Sequence, residues 1–88
     1  MDLVLSELRD ILEARKESSP ETSYVASLYS KGIDKILEKL GEEATETILA
    51  AKNYENSGAE VKIQRKKEVV NEAADLWFHS MVMLSYLD

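Results

Sequence analysis

Beyond Pro20 the sequence contains no proline, and its three glycines fall singly at positions 32, 41 and 58. Proline and glycine break regular structure more reliably than any other residues, so a stretch this poor in them is suited to long helices. The apolar residues agree, recurring at three- and four-residue steps with almost no period-two alternation. The predicted class is all-α, one domain over residues 1–88, without internal repeats or low-complexity tracts. A first helix carries Leu5, Leu8, Ile11 or Leu12, and Arg15 on one face and ends near Lys16. "KESSPETS" then connects, with Ser19 able to cap and Pro20 suited to a first helical turn or a loop. "SYVASLYSKG" predicts about two turns from Ser23, ended or kinked at Gly32. From Ile33 a stripe of Leu37, Leu40, Ala44, Thr47, Ile48 and Ala51 marks a third helix that tolerates Gly41 and closes in "NYENSG". The last helix starts between Ala59 and Lys62 and runs to the end of the chain.

Size and composition add exclusions. A chain of 88 residues is near the limit at which one core suffices. Past Asp75 the last helix, "LWFHSMVMLSYL", is apolar almost all round and must be covered on most sides. A homo-oligomer is expected, most simply a dimer. Cysteine is absent, which excludes disulfides, thiolate metal sites and cysteine nucleophiles. The start "MDLVLSELRD" does not read as a leader, and no apolar run approaches the roughly 20 residues of a membrane span. The expectation is a soluble cytoplasmic protein with no membrane partner. A net charge of −6, with "KIQRKK" the one basic cluster, argues against a nucleic-acid partner, because such binding relies on clustered cations neutralising phosphates.

The acidic residues present the helical plan with a difficulty. "GEEATETILAAKN" sets Glu42, Glu43 and Glu46 beside an apolar run. At about 100° per residue, Lys39, Glu43, Glu46 and Ala50 form a stripe next to the apolar one, while Glu42 points further away. On the last helix Glu68, Glu72, Asp75 and His79 line one face, and Val70, Ala73, Trp77, Met81 and Leu84 line another. The face of Glu72, Asp75 and His79 is expected to lie inside the assembly. Two acidic pairs at i, i+3 spacing, Glu43 with Glu46 and Glu72 with Asp75, can then meet across a helix pair. Burying such charges unpaired costs on the order of several kcal/mol each, and a divalent cation is the direct compensation. Oxygen ligands favour Mg²⁺ or Mn²⁺ over zinc. One E-E-x-x-E stripe taken alone is also what a solvated helix face looks like. The second pair, in "EAADLWFH", shifts the reading toward a metal site.

With these residues placed, the sequence resembles the phosphoribosyl-ATP pyrophosphohydrolase family, one of the MazG-type all-α nucleotide pyrophosphohydrolases. The superfamily pattern E-E-x-x-E, followed after a gap by E-x-x-D, is matched by Glu42, Glu43, Glu46, Glu72 and Asp75. The narrower resemblance lies in "SY" ahead of "GIDKI", in K-x-G-E-E-A-x-E beginning at Lys39, and in "EAADL" followed by an aromatic residue and His79. Val25 departs from it, standing where the family commonly has threonine.

The resemblance implies a MazG-type helical bundle completed by homo-oligomerisation. It also implies Mg²⁺-dependent hydrolysis of phosphoribosyl-ATP to phosphoribosyl-AMP and pyrophosphate, the second step of histidine biosynthesis. On that basis Glu43, Glu46, Glu72 and Asp75 are metal ligands. Glu42 orients or deprotonates the attacking water, and Glu46 is counted with it as catalytic. Lys39 and Lys52 are candidate phosphate contacts, although Lys39 can equally form an i, i+4 ion pair with Glu43. Ser23 and Tyr24 are candidates to meet the phosphoribosyl group, or else a helix cap and a packed aromatic. His79 is a candidate substrate contact with a structural role as its alternative, and Asn53 binds substrate or ends its helix. Trp77 reads as core. The alternatives in function are a MazG-type enzyme acting on another nucleoside triphosphate, or a nonenzymatic helical interaction module.

Overall fold

The computed structural model describes residues 2–17 and 23–87, and these form four helices and no strand. They are α1 (Asp2–Arg15), α2 (Tyr24–Lys31), α3 (Ile33–Glu55) and α4 (Lys62–Leu87). Ser19 and Pro20 lie outside the described residues.

Local chemistry sets the boundaries. Ser23 is the N-cap of α2: its backbone is extended, at φ −140° and ψ 124°, and its Oγ accepts a hydrogen bond from the Ala26 N–H at 3.2 Å. At the other end Gly32 adopts φ 92°, which a side chain would resist. Its N–H closes α2 on the Leu28 carbonyl at 3.0 Å, and its carbonyl accepts from Ile36 at the start of α3 at 3.2 Å. Gly41 sits inside α3 with open space where a Cβ would stand.

The long helices α3 and α4 form a hairpin, with α2 against α3 and α1 against α4 and α2. The core lies at one end of that hairpin. Leu12 of α1, Val25 and Leu28 of α2, Ile36 near the start of α3 and Val82 near the end of α4 are buried together, flanked by Leu8, Tyr29, Phe78, Met81 and Met83. A polar chain runs beside this core. The Tyr29 hydroxyl reaches Ser85 Oγ at 2.8 Å, and Ser85 Oγ in turn donates to Glu13 Oε1 at 3.2 Å. The radius of gyration is 15.2 Å, against about 12 Å for a compact chain of this length. Among the described residues, the far arm of the hairpin has only one neighbouring helix.

Two expectations about faces are corrected here. On α3 the inward residues are Ile36, Glu43 and Ala50, while Leu37 and Ile48 of the predicted apolar stripe are 46% and 68% exposed. On α4 the buried residues are His79, Val82 and Ser85. Trp77, expected in the core, is 54% exposed, with Val70 and Leu84 exposed on the same side. The cause is geometric. Each long helix has one main neighbour within the chain and turns toward it the face that carries the carboxylates.

Candidate active site

Because α3 and α4 pack through their acidic faces, the carboxylates of Glu43, Glu46 and Glu72 converge, each offering one oxygen within 4.8 Å of the others. Glu43 is buried, Glu72 half-buried and Glu46 exposed. Glu43 and Glu72 each keep one oxygen, Oε2, sealed from solvent without a hydrogen-bond partner among the described residues. Orphaned buried acceptors are uncommon and ask for an explanation. Burial pushes the Glu43 carboxyl above its ordinary range, and the neighbouring Glu46 adds to the effect by charge and by hydrogen bonding. Burial likewise raises Glu72, followed by a hydrogen bond with Glu46 and the charges of Glu46, Glu43 and Asp75. The donor set is all oxygen, partly dry and electrostatically frustrated, which fits a hard divalent cation. Asp75 is exposed and lies outside the tight triplet, although both Glu43 and Glu72 feel its charge.

Glu42 lies outside the triplet and is exposed. The Lys39 Nζ sits 2.9 Å from its Oε2, and that hydrogen bond holds Glu42 below the usual carboxylate range and Lys39 above its own. Lys39 thus pairs with Glu42 at i, i+3 and not with Glu43 at i, i+4. Both partners lie within reach on a helix, and Glu43 is turned inward.

Thr47, which the sequence placed in the apolar stripe, belongs to this site. Its Oγ1 lies 2.7 Å from the Glu43 carbonyl and 3.1 Å from the carbonyl of Glu72 on the facing helix. A cleft of about 320 Å³ opens beside the carboxylates, lined by Glu46, Leu49, Ala50, Asn53, Glu68 and Glu72. Asn53 therefore faces the acidic site. It does not end its helix, which continues to Glu55. Lys52 is exposed and is not among the residues of that lining.

The other named residues gather around α2. His79 is buried, with Nδ1 2.8 Å from the Asp75 carbonyl and Nε2 2.8 Å from the Tyr24 hydroxyl. A carbonyl only accepts, so Nδ1 carries the hydrogen, and in the neutral ring Nε2 accepts from Tyr24. The Phe78 ring meets His79 edge-on, with centroids 5.3 Å apart. Ser23 and Tyr24 line a second cleft, of about 330 Å³, together with Leu8, Ile11, Arg15 and Phe78. Both hydroxyls have internal duties, yet each keeps capacity: Ser23 retains its hydrogen to donate, and Tyr24 its lone pairs to accept. Burial raises the Tyr24 phenol, and Glu42, Glu43 and Lys39 all act on it through their charges, which sets this cleft close to the acidic site.

The chain is also similar to known proteins. Residues 5–88 match the family profile described as phosphoribosyl-ATP pyrophosphohydrolase. A curated phosphoribosyl-ATP pyrophosphatase of Hydrogenovibrio crunogenus is 57% identical over 83 residues, a match covering 94% of this chain and 68% of that protein. A match of this extent, over a chain whose helices bring Glu43, Glu46 and Glu72 together, places the chain in the phosphoribosyl-ATP pyrophosphohydrolase family.

Proposed function

We propose that this chain hydrolyses phosphoribosyl-ATP to phosphoribosyl-AMP and pyrophosphate, the second step of histidine biosynthesis, with Mg²⁺, or Mn²⁺ in its place, held by the carboxylate cluster. The observation that carries this reading is the pair of sealed, partnerless oxygens on Glu43 and Glu72 beside Glu46, in a chain of this family. Glu43, Glu46 and Glu72 hold the cation, and Asp75, one turn after Glu72, completes the set. When bound, Mg²⁺ supplies charge neutralisation for the polyphosphate and lowers the pKa of a water it holds.

The chain's own residues do the rest. The reaction adds water across the bond between the α and β phosphates, so one proton must leave the attacking water as the anhydride breaks. Glu42, kept ionised by Lys39, is suited to accept a hydrogen bond from that water and orient it; its lowered pKa makes it a weak base. Glu46 is the alternative acceptor on the same face. Lys39, paired with Glu42, and Lys52, outside the lining of the acidic cleft, are the cations available to the phosphates, and Asn53 contacts substrate from the cleft wall. Ser23 and Tyr24 recognise the phosphoribosyl group from the start of α2, with His79 of α4 holding the Tyr24 hydroxyl from behind. No side-chain nucleophile is required.

The working form is a homodimer in the cytoplasm. Val70, Trp77 and Leu84 recur at seven-residue steps along an exposed line of α4, and Leu37, Ile48 and Leu49 are exposed on α3. A second copy packing on these faces converts the half-covered hairpin into a helical bundle.

Pyrophosphate release from phosphoribosyl-ATP, measured with Mg²⁺ and again in excess chelator, tests the reading. Turnover with the metal and none in chelator is expected. Turnover confined to another nucleoside triphosphate would reassign the substrate, and full activity in chelator would remove the metal.

A further inference from the structure

We propose that Thr47 is a positioning residue, fixing the separation of the cation-binding carboxylates by tying α3 to α4; this rests on the cation site proposed above. Its hydroxyl lies 2.7 Å from the carbonyl of Glu43 and 3.1 Å from that of Glu72. The single hydroxyl hydrogen is shared between two backbone acceptors, one on each helix. Those acceptors belong to the two residues whose carboxylate oxygens are sealed and partnerless.

A threonine inside a helix commonly bonds back to the carbonyl four residues earlier, and the bond to Glu43 is of that kind. Reaching the facing helix with the same hydroxyl is the unusual part. It matters because Glu43 and Glu46 on α3 and Glu72 on α4 bring carboxylate oxygens within 4.8 Å of one another, and like charges set so close push α3 and α4 apart at this level. Thr47 opposes that separation at the backbone from which two of the carboxylates project. A cation that needs oxygens at set distances binds more weakly when the helices are free to drift, as it does when residues orienting its ligands are removed.

Thr47→Val keeps the shape and removes the donor. Both carbonyls lie inside continuous helices and keep their helical N–H partners, so no buried acceptor is left bare and the fold should persist. The test is Mn²⁺ binding followed by electron paramagnetic resonance, which reads occupancy without turnover. The expected result is a Mn²⁺ dissociation constant weakened by about tenfold in Thr47→Val. Thr47→Ser, which keeps the hydroxyl, should stay within about twofold of wild type, and raising Mn²⁺ should recover the activity of Thr47→Val. Wild-type affinity in Thr47→Val would overturn the role of Thr47 while leaving the cation site standing. Equal weakening in Thr47→Ser would overturn it too, assigning the effect to the lost methyl group. If wild type itself binds no Mn²⁺, the cation reading fails and this role with it. Should Thr47→Val not fold, Thr47→Ala set against Thr47→Ser gives the same comparison.

Discussion

The Tyr24 hydroxyl donates to Nε2 of His79 at 2.8 Å, and the Nδ1–H of the same ring donates to the Asp75 carbonyl at 2.8 Å. The ring thereby joins the first residue of α2 to the turn of α4 that carries the acidic pair. Tyr24→Phe removes the donor and leaves a buried acceptor on His79 unmatched. The melting temperature should fall by roughly 4–8 °C per kcal/mol lost, with about 1–2 kcal/mol at stake. If Tyr24 also contacts substrate, the Michaelis constant for phosphoribosyl-ATP should rise more than that for ATP. Steady-state kinetics on both nucleotides, with calorimetry, separate the two effects.

Selectivity should be pronounced. Every triphosphate offers a metal face the same oxygens, so discrimination has to come from groups that meet the phosphoribosyl moiety. Phosphoribosyl-ATP is expected to exceed ATP by about a hundredfold in kcat/KM, on the order of 3 kcal/mol. Competition assays with both substrates measure this ratio. Parity would move the chain to the reading of a MazG-type enzyme acting on another nucleoside triphosphate and leave the cation site standing.

Removing one carboxylate charge should separate activity from stability. Glu46→Gln is expected to lower kcat by at least about a hundredfold with Mg²⁺ present. The same substitution relieves repulsion on Glu43 and Glu72, so the metal-free variant should melt at or above the wild-type temperature. A variant that loses activity because it unfolds would contradict this.

Stability without metal should depend on pH in a defined direction. Glu43 and Glu72 have folded-state pKa values raised above the ordinary 4.5, so the folded form holds their protons more tightly than the unfolded one. Their contribution is fully present below about pH 4.5 and is lost as the pH rises through the folded values. Glu13 and Glu42 shift downward, so their smaller, solvent-screened contributions disappear only as the pH falls below that range. As the pH rises above 4.5 the metal-free protein should therefore lose stability, so of two pH values above 4.5 the higher should show the lower metal-free melting temperature and the larger gain from Mg²⁺, which competes less with protons there. Thermal melts with and without Mg²⁺ at the two pH values check the sign.

The exposed line of Val70, Trp77 and Leu84 should be a subunit contact. Trp77→Glu is expected to yield a monomer at micromolar concentration by light scattering, against a wild-type dimer. A wild-type monomer with full activity would refute the assembly.

Most of the helix plan was legible in the sequence because helix ends are local events. Ser23 caps through its own side chain and Gly32 takes a conformation that its missing Cβ allows, so each marks its boundary wherever it occurs. Which face turns inward is not local. Ile48 and Trp77 are apolar and periodic, yet a lone hairpin leaves them exposed, because burial is decided by which helices are available as neighbours. The convergence of Glu43, Glu46 and Glu72 followed from i, i+3 spacing on two facing helices, whereas Lys39 had two partners within reach and spacing could not choose between them. Thr47 was hidden for another reason: its acceptors are backbone carbonyls, which every residue has and no pattern of side chains marks.

Gly32 is the whole connection between α2 and α3, its N–H bonded into one helix and its carbonyl into the next. A helix of eight residues has no persistence of its own in water, so α2 survives by leaning on its neighbours. With a one-residue joint there is no slack to absorb a partial opening. The amides of α2 and of the first turns of α3 should then exchange with solvent deuterium as one cooperative unit, slower than those at the far tip of the hairpin, where Asn56 to Val61 turn the chain without a core beneath them. The segment that presents Ser23 and Tyr24 cannot loosen without also unsettling the start of the helix that carries the carboxylates.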